Sequence, residues 1–350
     1  MKRDDYLFIK ELTQAFGPSG YENEITNLII SRIIKNVSSL RIDKMGNLIA
    51  EKGNGKKALF SAHMDEVGLM ITGFQTDGTL RFQSVGGISP EHLASKRVKI
   101  GSRRICGIIS AKPIHLTKKA KTKVAFADLC IEIGAETEEE ARRFINIGDF
   151  AVFDTETEAI TTNHRISAIK GKAIDNRIGC FLLCKLIENP NIKDCTFLFS
   201  VQEETGLRGA AAFANSHSFP ISIAVDVTTP NDLPGFSGPD KVCSLDKGPV
   251  ISFADGRTIY QNSLIQSVFE ILEKNNIKAQ TKGKIVGGND ASAFQKNGVG
   301  MPVISLSLPC RYIHSSVGLF YITDLIESEK ALLCMGSHFL NGGAACAEQN

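Results

Sequence analysis

The hydrophobic positions of the first 67 residues predict helices that lead into short strands. Apolar side chains recur at helical spacing, then alternate with polar ones, and finally form a short continuous run typical of a buried strand. The predicted elements are helices over 5–17 and 22–36, a strand region over 39–51 that turns at Gly46-Asn47, and a buried strand over 57–61. This last strand leads directly into His63 and Asp65.

Helical periodicity largely disappears between residues 68 and 162, where short strands and turns replace it. The predicted elements are a hairpin over 73–82 that turns at Thr76-Asp-Gly78, strands over 97–100, 106–110 and 150–153, and one helix over 137–145. Thr137 as N-cap, with Glu140 three residues later, supports that helix. The basic run 118–123 is interpreted as an exposed loop. We therefore expect a small β-rich insert.

Strands alternate with helices from residue 163 onward, which is the pattern of a mostly parallel sheet. Predicted strands lie at 195–202, 222–227, 250–253 and 302–308, and predicted helices at 176–188, 261–274 and 322–340. The fold class is therefore α/β, with a mostly parallel sheet flanked by helices. We expect residues 1–67 and 163–350 to form one discontinuous domain, interrupted by residues 68–162.

Composition and charge argue against some classes of function. A formal net charge of +2 gives no general electrostatic footprint for nucleic acid, and no apolar run approaches the roughly 20 residues of a membrane span. The N-terminus lacks a signal-peptide pattern and the nine cysteines form no CxxC pair, so we expect a reducing, cytoplasmic location. Cys180 and Cys184 could share a metal, but their apolar neighbours favour a buried core face.

The central predicted strand ends in two adjacent acids, Glu203 and Glu204, followed by Gly206 and a helix start at Leu207. Open α/β sheets bind ligands at the carboxyl ends of their strands. Because neighbouring carboxylates repel each other, something positive is expected to keep at least one of them ionised. A metal ion is the natural candidate.

Further imidazoles and carboxylates lie at or just after predicted strand ends, where a parallel sheet gathers them on one side. They are His63, Asp65, Asp175, Asp226 and His314. Such a set suits Zn²⁺, Co²⁺ or Mn²⁺, and two such ions need one shared carboxylate. The assignment that fits has Asp175 as the shared ligand, His63 and Asp226 on one ion, and Glu204 and His314 on the other.

Two acids are left over by this assignment. Asp65 lies two residues after His63, so both side chains face the same way in an extended chain and Asp65 can accept the other ring N–H. Glu203 can take a proton from a water that the metals share. Taken alone, Asp175 before a helix is more often an N-cap, so the metal interpretation depends on the combination of all these ligands.

Five segments around these residues resemble the dinuclear metallo-aminopeptidases that assemble as tetrahedral (TET) dodecamers, a family with glutamyl aminopeptidase and endoglucanase-named members. The segments are Ser61-Ala-His-Met-Asp-Glu-Val-Gly68, Ala173-Ile-Asp-Asn-Arg-Ile-Gly179, Val201-Gln-Glu-Glu-Thr-Gly-Leu-Arg-Gly209, Val225-Asp-Val227 and Arg311-Tyr-Ile-His-Ser315. The resemblance covers nearly the whole chain, and it includes Val85-Gly-Gly87, Ile133-Gly-Ala135 and Gly287-Gly-Asn-Asp-Ala291.

The resemblance implies an α/β domain of the zinc-peptidase type interrupted by a PDZ-like dimerisation domain. It implies the same ligands for two divalent ions per subunit, Zn²⁺ or Co²⁺ with Mn²⁺ as an alternative, with Glu203 as general base and Asp65 supporting His63. The implied activity is removal of N-terminal residues from short peptides, by dimers that assemble into a hollow dodecamer. The chain departs from the family at Gly318 and Asn289, which together with loop 228–246 are expected to shape the substrate pocket.

Three other functions share part of this pattern. A glycosidase needs two carboxylates about 5–10 Å apart but neither two imidazoles nor a shared Asp, so metal dependence and cleavage of amino-acid anilides rather than cellulose discriminate against it. A non-catalytic scaffold would be expected to lose Glu203 or a ligand, and this chain keeps them. A deacylase of amino-acid conjugates shares the metal chemistry and differs only in its pocket.

Overall fold

The computed structural model describes residues 1–110, 124–235 and 241–342. The basic run at 118–123 and part of the loop 228–246 lie outside these ranges. Within them, no helix is both long enough and apolar enough to cross a membrane.

The strands of the described residues form three sheets. In chain order they are β1 (Ser39–Ile42), β2 (Leu48–Lys52), β3 (Ala58–His63), β4 (Gly68–Phe74), β5 (Leu80–Val85), β6 (Arg97–Ile100), β7 (Ile105–Ile109), β8 (Ile131–Glu132), β9 (Phe150–Phe153), β10 (Glu158–Thr162), β11 (Arg165–Gly171), β12 (Cys195–Ser200), β13 (Ser222–Thr228), β14 (Val250–Ile251), β15 (Gln280–Thr281), β16 (Val303–Pro309) and β17 (Gly318–Tyr321). The helices are α1 (Arg3–Gln14), α2 (Asn23–Ile33), α3 (Glu138–Arg142), α4 (Ile174–Glu188), α5 (Arg208–Ala214), α6 (Asn262–Lys274), α7 (Ala291–Lys296) and α8 (Ile322–Leu340).

The large sheet has eight strands in the order β1-β2-β12-β3-β13-β16-β14-β15. Its four central strands, β12, β3, β13 and β16, run parallel to one another, and β2 and β14 pair antiparallel with them on the two sides. Every residue of these four strands is buried, so both faces of the sheet are covered, as parallel sheets require. Helix α4 packs on β3 and β13, and α8 packs on β16. The predicted α/β class with a mostly parallel sheet is confirmed.

A smaller closed barrel follows the order β4-β5-β8-β7-β6-β9 and has its own hydrophobic core. The barrel lies inside the predicted insert 68–162. Strand β10, at the end of that range, instead pairs with β11 in a separate three-stranded sheet with β17. The domain boundaries and the PDZ-like description stay predictions.

That three-stranded sheet was not predicted from the sequence. Strand β10 is mostly exposed, so it lacks the apolar alternation that marks a half-buried strand. Strand β17 is only four residues long and runs straight into α8. The sheet matters for the site because β11 leads directly into the turn before α4.

A buried ion cluster joins the N-terminal segment to the start of α4. The Lys172 ammonium lies 2.6 Å from Glu66 Oε1 and donates to the Ala15 carbonyl at 2.8 Å. Arg177 is fully buried and donates to the carbonyls of Leu12 and Gly17 at 2.7 and 3.0 Å. Burial lowers the pKa of Lys172 to about 8. The chain from α1 to residue 17 is therefore part of the support of the α4 N-terminus.

Candidate active site

His63 is the last residue of β3, at the carboxyl end of the parallel strands. Its buried ring places Nε2 3.1 Å from Asp175 Oδ1 and 3.7 Å from Asp226 Oδ1. On the opposite side, Nδ1 lies 3.1 Å from the backbone oxygen of Asp65 and 3.3 Å from its carboxylate. These acceptors favour a proton on Nδ1, so Nε2 is the ring atom that faces Asp175 and Asp226 and would be left for a metal ion.

Asp175 lies between two imidazoles. Its Oδ1 contacts His63, and its Oδ2 lies 3.3 Å from His314 Nε2. The backbone of Asp175 is not yet helical, and the regular part of α4 begins after Asn176, whose side chain accepts the Gly179 N–H at 3.1 Å. The neighbouring Asn176 therefore makes the capping hydrogen bond that was weighed for Asp175, and the Asp175 carboxylate faces the two rings.

Glu203 and Glu204 follow β12 on a tight turn. Gln202, the residue before them, has a left-handed backbone with φ 55°. Glu204 Oε1 lies 3.3 Å from His314 Nε2, and Glu203 Oε2 lies 4.0 Å from His63 Nε2. The two neighbouring acids therefore face different imidazoles.

Asp65 is fully buried beneath this turn. Its carboxylate accepts the backbone N–H groups of Glu203 and Glu204 at 3.0 and 3.1 Å and the Ser19 hydroxyl at 2.5 Å. Burial opposes ionisation, but the contact with His63 and these donors together lower the pKa of Asp65 below its ordinary value. One carboxylate thus contacts both the ring of His63 and the turn that carries the two glutamates.

His314 and Asp226 complete the cluster. His314 follows β16, and its Nδ1 lies 3.0 Å from the carbonyl oxygen of Gly87, in the loop after β5 of the barrel. Asp226 lies in β13, and its Oδ1 accepts the N–H of Val227 at 2.7 Å. All seven residues singled out from the sequence lie together at one end of the large sheet.

The acids of this cluster are crowded and largely withdrawn from water. Burial and the neighbouring Asp226 raise the pKa of Glu203 well above its ordinary value. Burial, with a contribution from Asp175, raises the pKa of Glu204 to about 8. Burial alone would lower the pKa of His314, but Asp175 and Glu204 raise it to about 9. A cation bound among these groups would relieve the repulsion.

Among the described residues, three groups of ligand atoms are compact enough to hold a metal ion, each with all its atoms within 4.8 Å of one another. They are His63 with Asp175 and Asp226, His63 with Glu203 and Glu204, and Asp175 with Glu204 and His314. Glu204 Oε1 is buried, and its 3.3 Å contact with His314 Nε2 lacks the geometry of a hydrogen bond, so it accepts none from the described part of the chain and a cation would supply the missing partner. Imidazole and carboxylate ligands of this kind fit a divalent metal centre.

The two cysteines considered as a metal pair are not part of these groups. Cys180 and Cys184 are both buried in the main core, and the Cys180 thiol donates to the carbonyl oxygen of His63 at 3.1 Å. The core-face interpretation therefore describes them, and burial raises the pKa of both thiols.

A cavity of about 530 Å³ opens next to the cluster. Its wall includes Asp255, Arg257 and Lys282. The Asp255 carboxylate accepts three hydrogen bonds, from the N–H groups of Arg257 and Thr258 and from the Tyr260 hydroxyl. The Arg257 guanidinium forms no ion pair with any described residue. Its aliphatic chain packs against Gly288, where an added Cβ would lie 2.7 Å from Arg257 Cδ.

The two departures from the family pattern lie in different places. Asn289 lines this cavity and donates to the Ser305 hydroxyl at 2.7 Å. Gly318 lies against Cys310, beside a small cavity of about 20 Å³ next to His314. Ser19 and the Gly87 carbonyl contact site residues but were not singled out from the sequence for these contacts, because a serine in a turn and a backbone oxygen carry no distinctive signal.

Comparison with known proteins agrees with this geometry. A model of the M42 glutamyl aminopeptidase family matches residues 46–331. The lysyl aminopeptidase of Pyrococcus furiosus is 32% identical over 349 residues, 94% of this chain and 96% of that protein. The structure of aminopeptidase APDkam598 from the archaeon Desulfurococcus kamchatkensis is 32% identical and covers 95% of this chain and 94% of its own, with a TM-score of 0.89.

The Pyrococcus horikoshii TET1 peptidase is 34% identical and covers 95% of this chain and 99% of its own, with a TM-score of 0.83. The family match spans most of the chain, and these relatives align along nearly their entire length. The chain therefore belongs to the M42 glutamyl aminopeptidase family.

Proposed function

We propose that this chain removes N-terminal residues from short peptides with the help of two divalent cations. Family membership makes it a peptide hydrolase of the aminopeptidase type. The observation that carries the metal proposal is the position of Asp175, whose two oxygens each face one imidazole. A carboxylate in that position suits two neighbouring cations. Zn²⁺ or Co²⁺ fits the ligands best, with Mn²⁺ as an alternative.

The proposed ligands form two sets that share one residue. They are His63, Asp175 and Asp226 for one ion, and Asp175, Glu204 and His314 for the other. When bound, the ions would supply Lewis acidity towards the peptide carbonyl and a water of lowered pKa. The unpartnered Oε1 of Glu204 supports this proposal.

Glu203 is proposed as the general base. It is outside both ligand sets, and its pKa, raised by burial, suits a carboxylate that accepts a proton and then returns it. In the proposed reaction Glu203 takes a proton from the attacking water and delivers it to the leaving amine nitrogen as the C–N bond breaks. Asp65 holds the backbone of Glu203 and the ring of His63 during these transfers.

We further propose that the preferred N-terminal residue has an acidic side chain. Arg257 and Lys282 are cations on the cavity wall, and among the described residues neither forms an ion pair; Lys282 donates to the Val286 carbonyl at 2.6 Å. Asp255, the acid of the same cavity wall, already accepts three hydrogen bonds, from the N–H groups of Arg257 and Thr258 and from the Tyr260 hydroxyl. A carboxylate in this part of the cavity would meet two positive charges, whereas a lysine side chain would be repelled.

Assembly and location are proposed by analogy. The TET1 peptidase of Pyrococcus horikoshii can assemble into a tetrahedron or a large octahedral shell, and we propose that this chain also forms a dodecamer, with residues 68–162 as a PDZ-like dimerisation domain and residues 1–67 and 163–350 as the catalytic domain of zinc-peptidase type. A cytoplasmic location is proposed from the unpaired cysteines.

The deciding experiment combines metal removal with a substrate panel. The purified protein is treated with a chelator, reconstituted with Zn²⁺, Co²⁺ or Mn²⁺, and assayed on aminoacyl p-nitroanilides, their N-acetylated counterparts, N-acyl amino acids and cellulose. We expect activity that the chelator abolishes, a metal restores and N-acetylation blocks. Cleavage of N-acyl amino acids would favour a deacylase, release of sugar from cellulose a glycosidase, and activity without metal would overturn the proposal.

A further inference from the structure

Four consecutive backbone N–H groups in the turn after β12 donate to side chains from distant parts of the chain. The pairs are Val201 with Asn47 (3.0 Å), Gln202 with Glu22 (3.1 Å), Glu203 with Asp65 Oδ1 (3.0 Å) and Glu204 with Asp65 Oδ2 (3.1 Å). The turn that carries the two functional glutamates is therefore shaped by three side chains and not by a strand or helix ladder.

The carbonyl groups of the same turn are also occupied. The acceptors and their donors are Val201 with the N–H of Gly209 (3.1 Å), Gln202 with that of Arg208 (3.2 Å), and Glu203 with those of Gly206 and Leu207 (2.9 Å each). A Cβ on Gly209 would lie 2.3 Å from Asn47 Oδ1 and 2.5 Å from the Val201 carbonyl oxygen, so only glycine permits this approach. Rotation within the turn would break bonds on both sides of the backbone.

The critical backbone conformation in this turn is that of Gln202. Its φ of 55° lies in the left-handed region, which a residue with a Cβ adopts only when its surroundings hold it there. This conformation turns the chain away from the direction of β12 and sets where the side chains of Glu203 and Glu204 point. The N–H of Gln202 has Glu22 as its hydrogen-bond partner.

Glu22 is a buried acid that forms no ion pair with a described residue; its side chain is 7% exposed. Its Oε1 accepts the N–H of Gly20 at 2.7 Å as well as that of Gln202. Burying a carboxylate without a cation is unfavourable. The hydrogen bond with the Gly20 N–H does not require a carboxylate, because any side-chain oxygen could accept it. The contact with Gln202 is what joins Glu22 to the turn of the active site.

We propose that Glu22 is a positioning residue for the reaction: by accepting the Gln202 N–H it fixes the left-handed turn that aims Glu203 and Glu204 into the site. What it supplies is an acceptor oxygen, so a neutral amide at the same place serves equally well. This inference rests on the proposed function for its kinetic consequence, but the effect on the turn itself is independent of it.

The test compares Glu22→Ala, Glu22→Gln and the control Glu24→Ala in the full-length, metal-loaded protein. Glu24 lies two residues further along, is exposed, and pairs with Arg104 on the barrel side. Steady-state kinetics on the best aminoacyl p-nitroanilide separate kcat from KM. Hydrogen exchange of the peptide spanning 198–208, measured on the metal-free protein, reports on the turn without any need for activity.

We expect Glu22→Ala to lower kcat by between about tenfold and a hundredfold with KM nearly unchanged, and to speed exchange across 202–204. Glu22→Gln should restore both properties, and Glu24→Ala should match the wild type in both. Unchanged exchange in Glu22→Ala, or a kcat in Glu22→Gln as low as in Glu22→Ala, would overturn the proposal.

If Glu22→Ala does not fold, Glu22→Gln decides alone: wild-type kcat and exchange support an acceptor role, and loss of either refutes it. A wild-type protein inactive on every peptide would refute the proposed function, while the exchange result would still test the turn.

Discussion

His314 Nδ1 lies 3.0 Å from the carbonyl oxygen of Gly87, so a loop of the barrel orients a ring of the candidate metal centre. With Nδ1–H donated to Gly87, Nε2 is the ring atom that faces Asp175 and Glu204 and would be available to a metal ion. A Cβ at position 87 would approach Nδ1 to 3.3 Å, close enough that the ring or the loop must shift by a few tenths of an ångström.

We therefore expect Gly87→Ala to weaken the binding of one of two metal ions by about tenfold to a hundredfold, with a matching loss of activity at limiting metal. Titration of the metal-free protein with Co²⁺, followed by absorbance, measures this directly. Ser89→Ala in the same loop is the control, because none of the described hydrogen bonds uses that hydroxyl. Identical Co²⁺ titrations for Gly87→Ala and the wild type would contradict the orienting contact.

Replacing Glu203 by Gln should lower kcat by about 10²–10⁴-fold while both metals stay bound, because an amide cannot accept and return a proton. Asp65 would still hold the backbone of residue 203, so the turn should persist. Steady-state kinetics measure the loss of kcat, and metal analysis of the purified variant measures whether both ions are retained. An active Glu203→Gln protein would remove Glu203 from the base role.

Replacing Arg257 by Ala should reduce kcat/KM for a glutamyl anilide roughly tenfold to a hundredfold, the value of a hydrogen bond to a charged group. The leucyl anilide should be affected far less, since it makes no such bond. Arg257→Glu should shift the preference towards lysyl substrates. Lys296→Ala, a cation on α7 outside the cavity wall, is the matched control. An equal loss on both anilides would argue against an acidic preference.

Stability should depend on pH through Glu22. Burial, with the nearby charge of Asp65, raises the pKa of Glu22 to about 7 in the folded protein, against 4.5 for an unperturbed Glu. Because the folded pKa is the higher one, the contribution of Glu22 to stability is complete below pH 4.5 and is lost as the pH rises through 7. The free energy of unfolding of Glu22→Gln, relative to that of the wild type, should therefore rise by about 3 kcal/mol between pH 4.5 and 8.5. Urea unfolding at both pH values measures this change. The prediction would be contradicted if the difference in unfolding free energy between variant and wild type were the same at both pH values.

The sequence predicted the strands and helices whose buried residues form a recognisable apolar pattern along the chain. Strands β3, β12, β13 and β16 are buried along their whole length and were recognised as apolar runs. Helix α8 was predicted with the bounds that it has, because its apolar face repeats through 19 residues. Strand β10, mostly exposed, and the two-residue strands β8 and β15 offered no such pattern.

The site was predicted to the extent that chemistry alone singles out a residue. Carboxylates and imidazoles after buried strands have few structural explanations, so Asp226 and His314 stood out. Glu22 and Asn47 did not, because a polar residue next to a turn is ordinary until the fold brings a backbone N–H from some 150 residues away against it. Tertiary hydrogen bonds of this kind have no local signature.

The ion cluster of Glu66, Lys172 and Arg177 has a practical consequence for where the protein can be cut. The family match begins only at residue 46, yet the carbonyl oxygens that receive the Arg177 guanidinium belong to residues 12, 15 and 17. A shortened polypeptide that starts at the edge of the match would leave a buried guanidinium facing an empty groove next to Asp175. Helix α1 and the residues that follow it are for this reason an integral part of the enzyme, and a truncation there should lower the free energy of unfolding of what remains.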